Sequence, residues 1–250
     1  MTPVERHPGL LARFSRDVRT HLNYGYLSIR KPSSVLLDGI VVPLSATPQL
    51  HAVRRRIYRD SYETPERKAI KHLVKPDDVV LEIGSGLGIV SAVIASRLAD
   101  SQQLTTVEAN PQLVSSIEAV ARANGFRYSP MVGAVGKQDG EVTFFVDDSF
   151  ESSSAIDRGR ATTKVRVKQL AFSRLIEDVQ PTAIILDVEG AEKDLLDEAL
   201  PLRVRVLCIE FHPHIIGDAP VSSLLSGLLR QGFNLHLDYS SERVLALSRA

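Results

Sequence analysis

The chain of 250 residues has a single cysteine, no tryptophan and no excess charge, because 30 Lys and Arg balance 30 Asp and Glu. One cysteine cannot form an intramolecular disulfide, which is typical of a reducing compartment. A net charge of zero gives no general attraction to nucleic acid. No apolar run approaches the roughly 18 residues that span a bilayer, and the N-terminus lacks the apolar segment of a signal peptide. We therefore expect a cytoplasmic protein without a membrane span or a nucleic-acid partner.

What the sequence does contain is a glycine-rich turn in the segment 79–88, VVLEIGSGLG. The apolar run at 79–83 predicts a buried parallel strand, and the residues at 89–98 predict a helix. A strand, a tight glycine turn and a helix in this order form the ligand site of open α/β sheets, because glycine lets the backbone approach the ligand closely. The candidate ligand contacts in the turn are Gly84, Ser85, Gly86 and Gly88.

The spacing of this turn separates two ligands. A dinucleotide fingerprint, G-x-G-x-x-G, would place the third glycine one residue later than Gly88. Glu82 precedes the turn, and a carboxylate there would repel a pyrophosphate. It would suit a ligand that carries cationic groups. S-adenosylmethionine has an ammonium, a sulfonium and an adenosine but no phosphate, so the pattern favours this methyl donor over NAD, with Glu82 as a donor contact.

A second acid supports this interpretation. Glu108 ends the next predicted strand and lies twenty residues after Gly88, where an acid can accept hydrogen bonds from both ribose hydroxyls. Ala109 beside it, and Ala134 in a third predicted strand at 128–135, are further expected cofactor contacts. The segment before the first strand carries Tyr58, Tyr62 and Glu63, which could fold over the cofactor and the substrate, or whose tyrosines could instead make ordinary helix packing contacts.

The order of the remaining elements predicts the fold class. Further strands are predicted at 141–146, 164–168, 183–186, 204–209, 233–238 and 243–247. Helices are predicted at 54–74 (interrupted near Thr64), 112–124, 172–179 and 220–230. This alternation indicates an α/β protein: one doubly wound, Rossmann-like sheet of about seven strands with a C-terminal antiparallel hairpin.

Two features lie outside this alternation. Asp38-Gly39 between apolar runs predicts a hairpin. Apolar residues four apart from Leu10 to Leu22 predict a helix docked on the domain. We therefore expect residues 1–57 to form a helix and hairpin extension, and residues 58–250 the main domain. The polar segment at 147–160 is a candidate loop near the substrate.

Acids also follow two later strands of the predicted sheet. Asp187 ends one strand, with Glu189 and Glu192 behind it, and Glu210 ends the next, followed by His212. We expect these strand ends to meet at one cleft. Asp187 could orient or deprotonate an acceptor if neighbouring acids raise its pKa, or it could merely cap the next helix. His212 is the better base by proton affinity, with Glu210 as its neighbour.

The same acids offer oxygen ligands that suit Mg²⁺ or Mn²⁺. Close carboxylates also occur in metal-free sites, so we expect no metal here.

At these residues the chain resembles the FkbM family of S-adenosylmethionine-dependent methyltransferases. The most specific match is DVEGAE at 187–192, supported by the glycine turn, by EANP at 108–111 and by IEFH at 209–212. The similarity runs from about Tyr58 to the C-terminus and departs from the family at Ile185, where a lysine is usual.

This resemblance implies a class I methyltransferase sheet and O-methylation of a hydroxyl on a sugar, a glycan or another small natural product. Two alternatives stay open. One is a nicotinamide-dependent oxidoreductase on a similar sheet, and the other is a donor-fold protein that has lost catalysis and serves as a binding partner. The acceptor and the oligomeric state are not indicated by the sequence.

Overall fold

The computed structural model describes residues 24–147 and 162–250. The apolar stripe from Leu10 to Leu22 and the serine-rich part of the segment 147–160 lie outside the described residues, so the predictions made for them stay predictions. No helix in the described ranges is both long and apolar enough to cross a membrane.

The N-terminal part of the described chain is a hairpin flanked by short helices. After helix α1 (residues 24–30), strands β1 (Val35–Leu37) and β2 (Ile40–Val42) pair antiparallel, which confirms the predicted hairpin. Both turn residues have positive φ, 51° at Asp38 and 85° at Gly39, as the tight hairpin turn requires. Helices α2 (Pro48–Ala52), α3 (Arg54–Tyr58) and α4 (Thr64–Leu73) follow, with the predicted interruption before Thr64.

The hairpin joins the core of the main domain. Asn124 accepts the Val41 N–H at 2.8 Å through its side-chain oxygen and donates its amide to the Val41 carbonyl at 2.9 Å. Leu37, Ile40 and Val42 belong to the same buried cluster as the helices of the main sheet. The division of the chain at residues 57 and 58 remains a prediction.

The central sheet has seven strands and confirms the predicted fold class. In chain order they are β3 (Val80–Ile83), β4 (Leu104–Glu108), β5 (Met131–Val132), β9 (Ala183–Leu186), β10 (Val206–Glu210), β11 (Asn234–Leu235) and β12 (Val244–Ser248). Their order across the sheet is β11-β12-β10-β9-β3-β4-β5. From β5 to β10 all neighbours are parallel, whereas β12 runs antiparallel between β10 and β11.

A separate three-stranded sheet was not expected. It has the order β6-β8-β7, with β6 (Ala134–Gly136), β7 (Gly140–Asp147) and β8 (Thr162–Ala171). The single strand predicted at 128–135 is therefore wrong: the chain leaves the central sheet at Gly133 and enters the second sheet at Ala134. A Cβ on Gly133 would lie 2.9 Å from the Lys168 carbonyl oxygen, so this crossing requires close approach of two backbones.

Helices cover both faces of the central sheet. Helix α5 (Ile89–Arg97), α6 (Val114–Ala123) and α4 pack in one buried cluster, while α7 (Phe172–Val179) and α10 (Asp218–Arg230) contribute to the other. Helix α5 is buried at every position from Ile89 to Ala95, because apolar residues occupy all of its faces and it has no polar face for solvent. Two short helices, α8 (Glu192–Leu195) and α9 (Pro213–Ile216), follow the strands that carry the acidic residues.

Candidate active site

A cleft of about 800 Å³ opens at the carboxyl ends of β3, β4, β9 and β10. From β3 the chain moves outward to β4 and β5, and it then returns to place β9 on the other side of β3. This reversal of strand order is the topological switch point, where open α/β sheets bind their ligands. The cleft therefore lies where the sequence predicted it.

The three glycines of the turn are needed for different structural reasons. A Cβ on Gly84 would lie 1.8 Å from the main-chain oxygen of Asp187, and Gly84 also donates its N–H to Val107 at 2.9 Å. Gly86 (φ +53°) faces open space, since an added Cβ would meet only Glu63 and Tyr62, no closer than 3.7 Å. Gly88 serves helix packing, because its Cβ would lie 2.7 Å from the Ile117 Cα. Only Gly84 and Gly86 line the cleft.

Glu108 joins the second strand to the glycine turn. Its Oε2 accepts the Gly86 N–H at 2.8 Å, and its Oε1 accepts the Asn110 N–H at 2.7 Å. Burial raises the pKa of Glu108 to about 7, although these backbone N–H groups oppose the rise. Glu108 lines the cleft, so its carboxylate oxygens are the acceptors within reach of a ligand hydroxyl there.

Two residues that were expected to contact the methyl donor, Glu82 and Ser85, have side chains that do not line the cleft. Glu82 is 1 % exposed and accepts the Ser91 hydroxyl at 2.5 Å, while its Oε1 is buried without a hydrogen-bond partner. Ser85 turns towards β4, where its hydroxyl contacts Thr106 and donates to the Val107 carbonyl at 3.2 Å. Glu82 lies within strand β3, where it is buried below the glycine turn and does not line the cleft. The role expected for its charge at the donor is therefore not supported by its position.

The segment before α4 covers the glycine turn. Tyr62 and Glu63 line the cleft, and Arg67 anchors them by donating its Nε–H to the Tyr62 carbonyl at 2.8 Å. Burial, together with the nearby Glu66, raises the pKa of Glu63 well above its usual range. Tyr58, which was expected to contact substrate, is 3 % exposed and packs in the core instead.

The opposite side of the cleft is apolar. Ala109 and Ala134, which were expected to contact the cofactor, line it beside Leu113, Val135 and Phe144. Phe144 lies on β7 of the second sheet and packs in a small cluster with Ala134. Sequence reasoning missed Phe144, because no motif marks it and its place depends on how the second sheet docks.

Acids from two strands meet on the far side of the glycine turn. Asp187, Glu189 and Glu210 line the cleft, as expected. Nε2 of the His212 ring lies 3.6 Å from Asp187 Oδ1, 3.6 Å from Glu189 Oε2 and 3.7 Å from Glu210 Oε1. His212 is 1 % exposed and lies behind these acids. A direct contact between His212 and an acceptor, which the sequence left open, is therefore not supported.

Glu192 holds the other side of the His212 ring. Its Oε1 lies 2.5 Å from Nδ1 of His212 and also accepts the Gly190 N–H at 3.1 Å. Glu192 is fully buried and does not line the cleft, so it influences the cleft only by holding the His212 ring behind the acids. The alternative that Asp187 caps the next helix is wrong, because Ala191 is the N-cap of α8 and makes no side-chain capping bond.

The crowding of acids changes their protonation. Burial raises the pKa of Asp187 well above its usual range, and the neighbouring Glu210 and Glu189 raise it further. Burial also raises the pKa of Glu210, although His212 and Arg243 oppose the rise. Arg243 forms an ion pair with Glu210 at 3.0 Å. A cation entering this part of the cleft would relieve the repulsion among the carboxylates.

Known proteins resemble the chain only in structure. A search of protein-family models finds no match, and a search of curated proteins finds none either. A methyltransferase from Geobacter sulfurreducens is 12% identical, with a TM-score of 0.45 and coverage of 82% of this chain and 91% of that one.

Two further solved structures show the same level of similarity. Precorrin-6y C5,15-methyltransferase from Geobacter metallireducens is 14% identical, with a TM-score of 0.43 and coverage of 74% and 85%. Aeropyrum pernix fibrillarin, solved with natively bound S-adenosyl-L-methionine, is 13% identical, with a TM-score of 0.39 and coverage of 70% and 67%. Because these TM-scores lie below 0.5, the similarities carry no argument about what this chain binds.

Proposed function

We propose that this protein is an S-adenosylmethionine-dependent methyltransferase that transfers the methyl group to a hydroxyl oxygen. The observation that carries the proposal is the contact between Glu108 Oε2 and the Gly86 N–H, 2.8 Å, at the floor of a cleft at the topological switch point. It joins the two sequence features that favour a nucleoside ligand without a phosphate.

The cleft offers a different surface to each part of this donor. Glu108 supplies acceptor positions for the ribose hydroxyls, and Ala109, Ala134 and Phe144 supply an apolar surface for the adenine ring. Glu63 and Asp187, on either side of the glycine turn, supply carboxyl groups for the ammonium and the sulfonium, whose positive charges would favour the ionised form of both acids. When bound, the donor supplies an already activated methyl group, so the protein chiefly holds donor and acceptor in line.

A nicotinamide dinucleotide fits the cleft less well. Its pyrophosphate would meet carboxylates at the turn, now Glu63 and Glu108 rather than the Glu82 of the sequence argument. The antiparallel strand β12 between β10 and β11 also departs from the mostly parallel order of dinucleotide-binding sheets, and it matches the C-terminal antiparallel hairpin of the class I methyltransferase sheet that the resemblance implies.

The acceptor side of the proposal rests on Asp187 and Glu210. Both carboxylates line the cleft beyond the glycine turn, where an acceptor hydroxyl would meet the donor's methyl group. His212 acts from behind them and positions them. The resemblance to the FkbM family supports a sugar, glycan or other small natural product as the acceptor, and membership in that family remains part of this proposal.

Calorimetry with S-adenosylhomocysteine and with NAD tests the donor. We expect the wild-type chain to bind S-adenosylhomocysteine and not NAD. Glu108→Ala should weaken binding by about 1–3 kcal/mol, the range for hydrogen bonds to a charged group. Glu118→Ala removes an equal charge from the exposed face of α6 and should leave the affinity unchanged. Tight NAD binding with no response to S-adenosylhomocysteine would overturn the proposal.

A second measurement identifies the acceptor. The purified protein is incubated with a small-molecule extract and a donor carrying an isotope-labelled methyl group, and the products are analysed by mass spectrometry. We expect the label in an O-methyl ether. Label appearing solely on nitrogen or carbon would contradict the hydroxyl acceptor while leaving methyl transfer in place.

A further inference from the structure

We propose that Asp187, Glu210 and His212 form a binding site for a divalent cation of the Mn²⁺ type. One ligand atom from each of the three residues lies within 4.8 Å of the others. The proposal departs from the sequence expectation of a metal-free site, and it rests on the positions of the side chains.

The spacing of these atoms suits an ion between them. Ligands about 2.1 Å from an octahedral ion lie about 3.0 Å apart when adjacent and about 4.2 Å apart when opposite. Nε2 of His212 lies 3.6 Å from Asp187 Oδ1 and 3.7 Å from Glu210 Oε1, inside that interval. These separations exceed the usual 2.7–3.2 Å of a hydrogen bond, so a proton shared between the atoms would bridge them poorly.

The orientation of the His212 ring is the second, independent observation. Glu192 Oε1 already accepts the Gly190 N–H, so it is the acceptor towards Nδ1 of His212 as well. In the neutral ring, the form that binds a metal ion, Nδ1 then carries the proton and Nε2 presents its lone pair to Asp187 and Glu210. A carboxylate–histidine pair of this kind is the usual support of a metal-bound imidazole, since it sets the tautomer and the ring orientation.

The atoms facing that lone pair are themselves acceptors. Asp187 Oδ1 is buried and has no hydrogen-bond partner, and His212 is 1 % exposed. A cation between the lone pair of the neutral ring and the unpartnered carboxylate oxygen would satisfy both acceptors at once. Arg243 Nη2 lies 3.0 Å from Oε1 of Glu210, the oxygen that also faces His212 Nε2, and a carboxylate has further acceptor positions for a cation. We place the cation between this carboxylate, Asp187 and the His212 ring.

The donor set indicates the type of ion. Carboxylate oxygens suit Mg²⁺, Ca²⁺ and Mn²⁺, and an imidazole nitrogen suits transition metals. Mn²⁺ satisfies both preferences. Two oxygens and one nitrogen leave coordination positions open, and these face the cleft because Asp187 and Glu210 line it while His212 lies behind.

The role of the ion rests on the proposed function. An acceptor hydroxyl bound to the ion would have a lowered pKa and would release its proton to water in the cleft. The oxygen then forms a bond to the methyl carbon, the carbon–sulfur bond of the donor breaks, and its electron pair stays on sulfur. No oxidant or reductant is needed.

Mn²⁺ binding tests the site without any donor. The full chain is treated with EDTA, dialysed and titrated with Mn²⁺, and the free ion is measured by electron paramagnetic resonance. We expect one ion per chain in the wild type. Asp187→Asn and Glu210→Gln keep side-chain size and should each weaken binding at least tenfold. Glu242→Gln, at another acid of the cleft wall, should change it less than about twofold.

The outcomes separate this proposal from the proposed function. Saturation by one ion that is lost in Asp187→Asn and Glu210→Gln supports the site, whatever the result with S-adenosylhomocysteine. No bound Mn²⁺ in the wild type, or equal binding by all four proteins, overturns it. Circular dichroism of each variant checks folding, and His212→Gln, expected to weaken binding likewise, provides a variant at the third ligand.

Discussion

The main-chain oxygen of Asp187 lies where a Cβ on Gly84 would stand, 1.8 Å from the ideal position. Gly84 follows β3 and Asp187 follows β9, and Asp187 donates its own N–H to Ile83 at 2.9 Å. The glycine turn and the acid cluster are thus built on one close backbone contact. A shift of the glycine turn would therefore also move the acid cluster that begins at Asp187.

We expect Gly84→Ala to destabilise the fold by about 2–5 kcal/mol, from overpacking and from a φ of +90° that disfavours a side chain. Gly125→Ala is the matched control, since Gly125 also has positive φ (+70°) but nothing within 4 Å. Its cost should be the conformational part alone, about 1–2 kcal/mol. Urea unfolding of both variants measures the difference, and equal losses would contradict the contact.

Gly86→Val should abolish binding of S-adenosylhomocysteine while the chain stays folded. The new side chain would project towards Tyr62 and Glu63 in the cleft, into the space that we assign to the donor. Gly125→Val carries a similar backbone strain away from the cleft. Calorimetry on both folded variants checks this prediction, and unchanged affinity in Gly86→Val would refute the role of the turn.

Glu82 should make stability depend on pH. Burial raises the pKa of Glu82 from 4.5 to about 7, so between these values the folded chain keeps a proton that the unfolded chain has lost. Stability therefore falls as the pH rises through this window, by up to about 3 kcal/mol from this group. Glu82→Gln should lose that part of the dependence when unfolding is measured at pH 5 and pH 8.

The control for this prediction is Glu118→Gln, which changes an exposed acid on α6. It should keep the wild-type difference in stability between the two pH values. Glu66 and Glu108, whose pKa values burial also raises to about 7, contribute to the dependence that remains in Glu82→Gln, as do the other acids with raised pKa values, Glu63, Asp187 and Glu210. A Glu82→Gln protein with the full wild-type difference would contradict the assignment.

Arg67 should be a strong contributor to stability. It is 1 % exposed and contacts Asp38 of the hairpin, Asp60 at 2.7 Å and the Tyr62 carbonyl. Arg67→Met removes these contacts, although Asp38 keeps Lys71 at 2.6 Å, and should cost about 1.5–3 kcal/mol, the range for hydrogen bonds to charged groups. Arg122→Met removes an exposed ion pair with Glu118 and should cost under about 1 kcal/mol. Denaturant unfolding measures both, and similar small losses would contradict the prediction.

The fold was largely predictable because its signals are local. Apolar runs at 80–83, 104–108 and 183–186 became parallel strands, and the glycine spacing marked the turn between β3 and α5. The second sheet was not predictable, because the pairing of β7 with β8 depends on contacts between distant residues. The same holds for Phe144, which reaches the cleft through that sheet.

The alternating order of strands and helices, the glycine turn and the acids at the strand ends could all be predicted from the sequence, since they follow from side-chain type and spacing along the chain. Which acids face the cleft became known from the folded arrangement alone. It placed Glu82 beneath the turn, His212 behind Asp187, and Glu192 against the His212 ring. The direction of a side chain and its partners across strands depend on packing between segments far apart in the chain, and spacing along the chain does not specify that packing.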